Sequence, residues 1–173
     1  MIIRSAQPKD IPQLAKLAQK TYSETFGHTM SIEELQKALE QRSEKYFLSI
    51  IDEDTVLIAE HDEQLVGFIQ FGKVTNDSIP ATDKNIELKK IYIARDHQGK
   101  GIGKKLMEAM LAHDRLSEVD TIYLDVFAEN ENAIGLYKKY GFQIIGKTPF
   151  VVDGKILGYD FLMKREHNSR IKL

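Results

Sequence analysis

The stretch RDHQGKGIGKKLM, residues 95–107, places three glycines and three lysines directly before a predicted helix. Backbone N–H groups in the first turn of a helix lack partners within the helix, and the helix dipole adds partial positive charge there. Glycines let a bulky anion approach this backbone closely. The spacing therefore predicts a phosphate or pyrophosphate site, with Lys100, Lys104 and Lys105 adding charge. The alternative is a glycine turn before a surface helix with solvated lysines.

This loop departs from the two common nucleotide-binding glycine motifs. A P-loop that starts at Gly99 needs a second glycine where the chain has Lys104. A G-x-G-x-x-G fingerprint that starts at Gly99 fails at the same lysine, and one that starts at Gly101 fails at Leu106. We therefore expect a phosphate loop of another type.

The strand before the loop, IELKKIYI (86–93), shifts its apolar phase once. Strict alternation from Leu88 would put Lys90 on the apolar face, but the apolar positions resume at Ile91 and Ile93. A one-residue slip of this kind predicts a β-bulge, which leaves a backbone amide free to bind a ligand carbonyl. Two lysines on a partly exposed strand would give the same pattern.

The elements that position these residues follow from the spacing of apolar side chains. Capping signals at Asp10 and at Ser31 predict two helices after the first strand, and two further helices follow the glycine loop and Asn130. The short polar segments DEQ and DGK predict hairpin turns. The resulting order, β-α-α-β-β-β-α-β-α-β-β, predicts an α/β (α+β mixed) fold with a mixed sheet covered by helices. We expect one domain over residues 1–173, with a basic tail from about residue 165.

Composition excludes several classes of function. The chain has 173 residues, no cysteine and a net charge of -2, so disulfides, thiolate metal sites and a basic nucleic-acid footprint are not expected. No apolar stretch approaches the roughly 20 residues that span a bilayer, and the N-terminus lacks a signal-peptide layout. These features predict a cytoplasmic protein without a metal.

Two segments together resemble the GCN5-related N-acetyltransferase (GNAT) family. QGKGIG (98–103) matches that family's Q/R-x-x-G-x-G/A loop. NENAIGLYKKYGF (130–142) is similar to its N-x-x-A-x-x-x-Y-x-x-x-G-F segment, with Asn130, Tyr137 and Gly141 in register. The resemblance covers nearly the whole chain, and within the family it is greatest to the bacterial PaiA-type spermine/spermidine N-acetyltransferases.

The resemblance implies that acetyl-CoA lies in a gap between two splayed parallel strands, IELKKIYI and TIYLDVF. The backbone of the first strand would pair with the pantetheine arm. Asn130 equally fits a plain helix N-cap. The full set of implied cofactor contacts is Ile91, Tyr92, Ile93, Gln98, Gly99, Lys100, Gly101, Ile102, Gly103, Lys104, Asn130, Asn132 and Lys139.

Acetyl transfer from a thioester to an amine requires a neutral amine, stabilisation of negative charge on the carbonyl oxygen, and a proton for the leaving thiolate. Tyr137 is the expected proton donor, because a phenol with an ordinary pKa of about 10 is protonated at neutral pH. Glu87 is the expected acceptor of the amine proton, directly or through water. The alternatives are a core tyrosine at 137 and a solvated carboxylate at 87.

These inferences predict an acetyl-CoA-dependent N-acetyltransferase of a small primary amine, with a polyamine such as spermidine or spermine as the candidate substrate. Glu24, Glu33 and Glu34 are the expected cation-binding groups. The competing interpretations are an acetyltransferase of protein N-termini or lysines, and a CoA-binding sensor without catalysis. We expect a small-molecule amine as partner, no nucleic acid or membrane, and a homodimer as a candidate assembly.

Overall fold

The computed structural model describes residues 1–167. The helices are α1 (Ile11–Phe26), α2 (Ile32–Glu40), α3 (Glu44–Ile50), α4 (Ile102–Leu111) and α5 (Glu131–Lys139). The strands are β1 (Ile2–Ser5), β2 (Thr55–His61), β3 (Gln64–Gly72), β4 (Asn85–Ile93), β5 (Thr121–Phe127), β6 (Gln143–Val152) and β7 (Lys155–Glu166).

The strands form one sheet in the order β1-β2-β3-β4-β5-β7-β6. The predicted mixed fold is confirmed, because only β4 and β5 are parallel neighbours and the other described pairs are antiparallel. The two predicted hairpins turn through left-handed residues, at Asp62 and Glu63 and at Asp153 and Gly154. A parallel pair instead needs a long crossover, which α4 provides between β4 and β5.

Helices cover both faces of the sheet. On one face α4 and α5 bury side chains such as Leu106, Met110 and Ile134 in a core with β3, β4 and β5. On the other face α1 and α3 bury Leu14 and Phe47 against the strands. Strand β2 therefore has buried apolar side chains on both sides. None of the helices in residues 1–167 is long and apolar enough to cross a membrane.

Two local predictions differ from the structure. Asp10 precedes α1, but its carboxylate accepts a hydrogen bond from the Gln7 amide (2.8 Å) and pairs with Arg4 (2.7 Å) instead of capping the helix. The reason is that a short 3-10 turn, Pro8–Asp10, already leads into α1. Helix α3 was not predicted, since its seven residues bury only Phe47. The capping box at Ser31 is confirmed by reciprocal bonds with Glu34 of 3.1 and 2.9 Å.

The predicted basic tail overlaps the end of the sheet. Its first residues, Arg165 and Glu166, belong to β7 and pair with β5. Residues 168–173 lie outside the described part of the chain.

Candidate functional site

The parallel strands β4 and β5 separate halfway along their length. They are paired from Asn85 and Thr121 up to Leu88 and Leu124, and no pairing between them is present beyond that point in the described chain. Both strands continue, to Ile93 and to Phe127. One backbone edge of residues 89–93 is therefore left without a strand partner. The predicted gap between these two strands is present.

The predicted bulge in β4 lies where this separation begins. Across β3, Gln70 faces Lys90 and Phe71 faces Leu88, so Lys89 is the extra residue. Both lysine side chains reach the α1–α3 face: Lys89 binds Asp54 (3.1 Å), and the Lys90 ammonium donates to the Tyr46 hydroxyl (2.9 Å). The phase slip in the sequence is thus a true bulge.

The glycine loop connects the end of β4 to the start of α4. The amides of residues 99–104 donate no hydrogen bond to the described part of the chain, whereas the Gln98 amide donates to Arg95 (3.3 Å). The Gln98 side chain holds the loop to β4 through the Ile93 carbonyl (3.2 Å). Six adjacent free amides at a helix N-terminus form a concentrated anion-binding surface.

Two glycines in this loop are required by backbone geometry. Gly99 and Gly101 have φ values of 73° and 77°, in the left-handed region. A Cβ atom at either position would meet nothing within 4 Å, so the space above the amides is open. Ile102 is buried and offers only its backbone, while Lys100 and Lys104 are exposed. The loop therefore suits a group that contacts backbone N–H donors and solvent-facing ammonium groups.

Helix α5 supplies the remaining predicted residues. The Asn130 side chain accepts a hydrogen bond from the Ala133 amide (3.2 Å), so the capping role is present, and its NH₂ group has no hydrogen bond within residues 1–167. Asn132 and Lys139 are exposed. The Tyr137 ring is buried, and burial raises the pKa of its phenol, with a smaller effect from Tyr92. The phenol is therefore protonated at neutral pH, as a general acid must be.

Glu87 lies on β4 directly before the gap and faces the α1–α3 side of the sheet. It is 9% exposed, and its Oε2 atom accepts hydrogen bonds from the Thr75 amide (2.8 Å) and hydroxyl (3.1 Å). These bonds orient the carboxylate, and its other oxygen has no hydrogen bond within residues 1–167. Glu87 is thus a mostly buried carboxylate with a fixed orientation, and not a solvated one.

Two more carboxylates share this face, and we call Glu87, Asp125 and Asp160 the carboxylate cluster. Glu87 is paired with Tyr123 on β5, and Asp125 lies two residues further along that strand. Burial, together with repulsion from Asp160 and Glu87, raises the pKa of Asp125 to about 6. Burial alone raises the pKa of Asp160 to about 6. Asn76 binds one oxygen of Asp125, while the other oxygen is buried without a partner in the described chain.

An aromatic cluster, Phe26, Phe127 and Phe150, stands beside these carboxylates. The three ring centroids lie 5.5 to 5.9 Å apart and bring together the end of α1, the end of β5 and strand β6. Phe127 is paired with Asp160 across β5 and β7, so the two side chains emerge on one face. Negative charge beside aromatic rings is a favourable setting for an organic cation.

Sequence comparison decides the family. A model described as "Acetyltransferase (GNAT) family" matches residues 11–142, which contain the gap, the loop and α5. The chain belongs to the GNAT family. A spermine/spermidine N(1)-acetyltransferase of Bacillus subtilis (strain 168) is 34% identical over 91 residues. That alignment covers 52% of this chain and 60% of the relative, so it spans less than two thirds of the relative's length.

Solved structures share this GNAT fold over nearly the whole chain. PaiA N-acetyltransferase from Thermoplasma acidophilum, solved with coenzyme A, has a TM-score of 0.76 at 22% identity and covers 95% of this chain and 98% of its own. Ribosomal-protein-alanine N-acetyltransferase from Brucella melitensis has a TM-score of 0.73 at 25% identity, with coverage of 96% and 99%. The resemblance to PaiA-type proteins is confirmed.

The structure places the predicted residues of β4 along the gap and the glycine loop at its end, and it gives two of the predicted acidic groups other partners. Glu34 is tied to the Ser31 amide and to Lys155 (3.2 Å), and Glu24 lies 3.9 Å from Lys20. The sequence interpretation missed Asp125 and Asp160. Their signal was present, since each interrupts an apolar strand. Among residues 1–167 no three His, Cys, Asp or Glu side chains are grouped as a metal site.

Proposed function

We propose that this chain transfers an acetyl group from acetyl-CoA to a primary amine. The observation that carries the proposal is the continuity of the gap with the loop: an unpaired edge of β4 leads directly to the free amides of residues 99–104. An extended amide-containing arm followed by a pyrophosphate matches these two features in that order. Acetyl-CoA would supply the activated acetyl group as a thioester.

The cofactor contacts follow from this placement. The backbone of Ile91, Tyr92 and Ile93 would bind the pantetheine arm, because this part of β4 lacks β5 as partner. The loop from Gln98 to Lys104 would hold the pyrophosphate, with the Gln98 amide contributing least since it is already bonded. The NH₂ group of Asn130 would also contact the cofactor. The exposed side chains of Asn132 and Lys139 would add further polar contacts.

The two catalytic roles belong to opposite faces of the sheet. Glu87 accepts one proton of the incoming ammonium group, and the neutral nitrogen then bonds to the acetyl carbon. The carbon–sulfur bond breaks, and the thiolate takes the phenolic proton of Tyr137. The bonded nitrogen loses its second proton, which returns to the tyrosine through solvent, and Glu87 releases the first proton to solvent. A bulge leaves a backbone amide free of the strand ladder, and such an amide would bind the carbonyl oxygen.

The acceptor we propose is a polyamine. The carboxylate cluster and the aromatic cluster lie together on the face of the sheet that carries Glu87. Both clusters would attract an elongated polycation. The Bacillus relative named as a spermine/spermidine N(1)-acetyltransferase supports this substrate class. Asp125 and Asp160 replace Glu24, Glu33 and Glu34 as the proposed binding groups.

Removal of the Tyr137 hydroxyl tests the proposed reaction. Tyr137→Phe keeps the ring in the core, and we expect a loss of about 10²–10⁴-fold in kcat, measured as thiol release with acetyl-CoA and spermidine. Tyr159→Phe, which removes a hydroxyl from an exposed ring, is the matched control. A Tyr137→Phe variant with unchanged kcat would remove the tyrosine from the mechanism. Acetyl-CoA binding in calorimetry without thiol release from any amine would favour the sensor interpretation.

The substrate class has its own test in the pH dependence of KM. Below a pH of about 6 the carboxyls of Asp125 and Asp160 gain protons, while polyamine nitrogens, with pKa values near those of lysine, stay charged. The KM for spermidine should therefore rise as the pH falls through about 6, and Asp160→Asn should raise it at neutral pH. Faster turnover of a neutral peptide N-terminus than of spermidine would contradict the polyamine and favour a protein acetyltransferase.

A further inference from the structure

Arg42, just beyond the end of α2, is a partly buried cation without a counter-ion. Its Nη1 donates to the Ala38 carbonyl (2.6 Å), and its guanidinium lies 3.6 Å from the centre of the Tyr22 ring. No ion pair to Arg42 is present within residues 1–167, although ten other pairs are. Burying a guanidinium without a carboxylate is unfavourable, which indicates a use for its charge.

The remaining contact of Arg42 leads to the gap. Its Nε donates to the Tyr92 hydroxyl (3.0 Å), joining two residues that are 50 positions apart. Tyr92 belongs to the part of β4 that has separated from β5, and its ring packs on Phe68 with centroids 5.3 Å apart. A hydroxyl that accepts from Arg42 must direct its own proton elsewhere, and no acceptor for it is present in the described chain.

Tyr92 and Tyr137 approach the gap from opposite faces. Tyr92 packs with the α1–α3 core, and Tyr137 packs with the α4–α5 core. The two phenols are close enough for Tyr92 to contribute to the raised pKa of Tyr137. A thioester held in the gap would therefore have one hydroxyl on each side, and the mechanism above uses only Tyr137.

We propose that Tyr92 donates a hydrogen bond to the acetyl oxygen, and that Arg42 is the positioning residue that fixes and polarises this hydroxyl. The inference rests on the proposed function. When the amine nitrogen bonds to the acetyl carbon, an electron pair moves onto the oxygen, and it returns as the carbon–sulfur bond breaks. A donor linked to the Arg42 guanidinium stabilises that transient charge, because a preorganised dipole needs no reorganisation at the moment of reaction.

The test compares kcat with KM in four variants. Tyr92→Phe keeps the ring packing and removes the donor, and we expect kcat to fall about 10²-fold with both KM values unchanged. Arg42→Gln should lower kcat by a smaller factor, and Arg42→Lys should recover only part of it, since lysine lacks the planar fork. The double variant Tyr92→Phe/Arg42→Gln should be no slower than Tyr92→Phe alone, because Arg42 acts through the hydroxyl.

Other outcomes overturn the inference. An unchanged kcat in Tyr92→Phe does so, and so does a rise in the KM of the amine alone, which would make Arg42 an anchor for the acceptor. Thermal unfolding of each variant separates misfolding from slow chemistry, and if Arg42→Gln fails to fold, Tyr92→Phe decides alone. Tyr159→Phe again serves as control. If the wild-type protein acetylates the amine and Tyr92→Phe has the same kcat as the wild type, this inference fails while the proposed function stands.

Discussion

Neighbouring lysines at the bulge have opposite electrostatic surroundings. Lys89 pairs with Asp54, and both side chains are largely buried, at 12% and 2% exposed. Lys90 has the Tyr46 hydroxyl and ring as contacts, with its ammonium 4.3 Å from the ring centre. Burial, together with the charges of Arg42 and Lys89, lowers the pKa of Lys90 to about 7. One lysine therefore favours the folded state as a cation and the other opposes it.

Replacing each lysine should change stability with opposite sign. A lysine whose pKa is lower in the folded state destabilises the fold fully below about pH 7, and the penalty disappears as the pH rises through the unfolded value of 10.5. Lys90→Met should therefore increase the free energy of unfolding near neutral pH, and the gain should shrink toward a pH of about 10. Lys89→Met, the matched control, should lower it, because Asp54 is left unpaired. Urea unfolding at several pH values measures both, and a pH-independent effect of Lys90→Met would contradict the assignment.

Gly101 offers a direct measurement of cofactor binding. Gly101→Glu places a carboxylate above the free amides, so acetyl-CoA affinity should fall by at least about tenfold in calorimetry. Gly154→Glu is the matched control, because Gly154 has a φ of 75° and equally open surroundings but lies in the β6–β7 turn. Both variants share the strain of a left-handed side chain, roughly 1–2 kcal/mol. Equal affinities in the two variants would remove the pyrophosphate from this loop.

Helix α2 buries little of its surface against the rest of the molecule. It has no fully buried residue, and Ile32 is 78% exposed. Two crossed ion pairs join it to the β6–β7 turn: Lys37 with Asp153 at 2.7 Å, and Glu34 with Lys155 at 3.2 Å. Three of these side chains are largely solvent-exposed and only Glu34 is mostly covered, at 12% exposed, so the pairs hold α2 in place weakly and in a salt-dependent manner.

Reversing one charge of the Lys37–Asp153 pair should loosen α2, and reversing the second should restore its attachment. Lys37→Glu sets two carboxylates against each other, and hydrogen exchange of the α2 amides should accelerate with little change in global stability. Adding Asp153→Lys restores an opposite-charge pair and should return the exchange rates toward those of the wild type. High salt should accelerate α2 exchange in the wild type and leave the single variant less affected. Unchanged exchange in Lys37→Glu would show that the packing of α2 on α1 is sufficient by itself.

At the scale of the whole molecule, the sheet depends on helices docked on both faces. Phe47 is the one buried residue of α3 and packs edge-on against Phe68, with ring centroids 5.8 Å apart. Because its side chain is fully buried, Phe47 joins this short helix to the centre of β3.

Removing the Phe47 side chain should destabilise the protein, because its buried contact with Phe68 is lost. Phe47→Ala should lower the free energy of unfolding by about 3–5 kcal/mol in urea titration. The next residue supplies the control, since Leu48 is 59% exposed and Leu48→Ala should change stability by less than about 0.5 kcal/mol. Similar losses in both variants would mean that helix propensity, and not burial, stabilises α3. A single domain over residues 1–173 stays a prediction. Assembly into a homodimer also stays a prediction.

Local features were predictable because they are encoded by neighbouring residues. The bulge in β4, the capping box of Ser31 and Glu34, and both hairpin turns depend on spacings of a few positions, and the structure contains them. The glycine loop was recognisable for the same reason, since positive φ at Gly99 and Gly101 requires glycine whatever the fold. Asp10 shows the limit, because its charge partner Arg4 competed with the helix end.

The grouping of side chains around the gap required the tertiary structure. Glu87, Asp125 and Asp160 belong to β4, β5 and β7, and they meet only because these strands are adjacent in the sheet order. Arg42 reaches Tyr92 across 50 positions because the chain after α2 packs on the face of β4 that carries this tyrosine. Burial then shifts the pKa of Asp125, Asp160 and Lys90, and burial is a property of the packed chain. The sequence by itself therefore determined the glycine loop and most of the elements, while strand order and desolvation decided which charged groups lie together on the face of the sheet that carries Glu87.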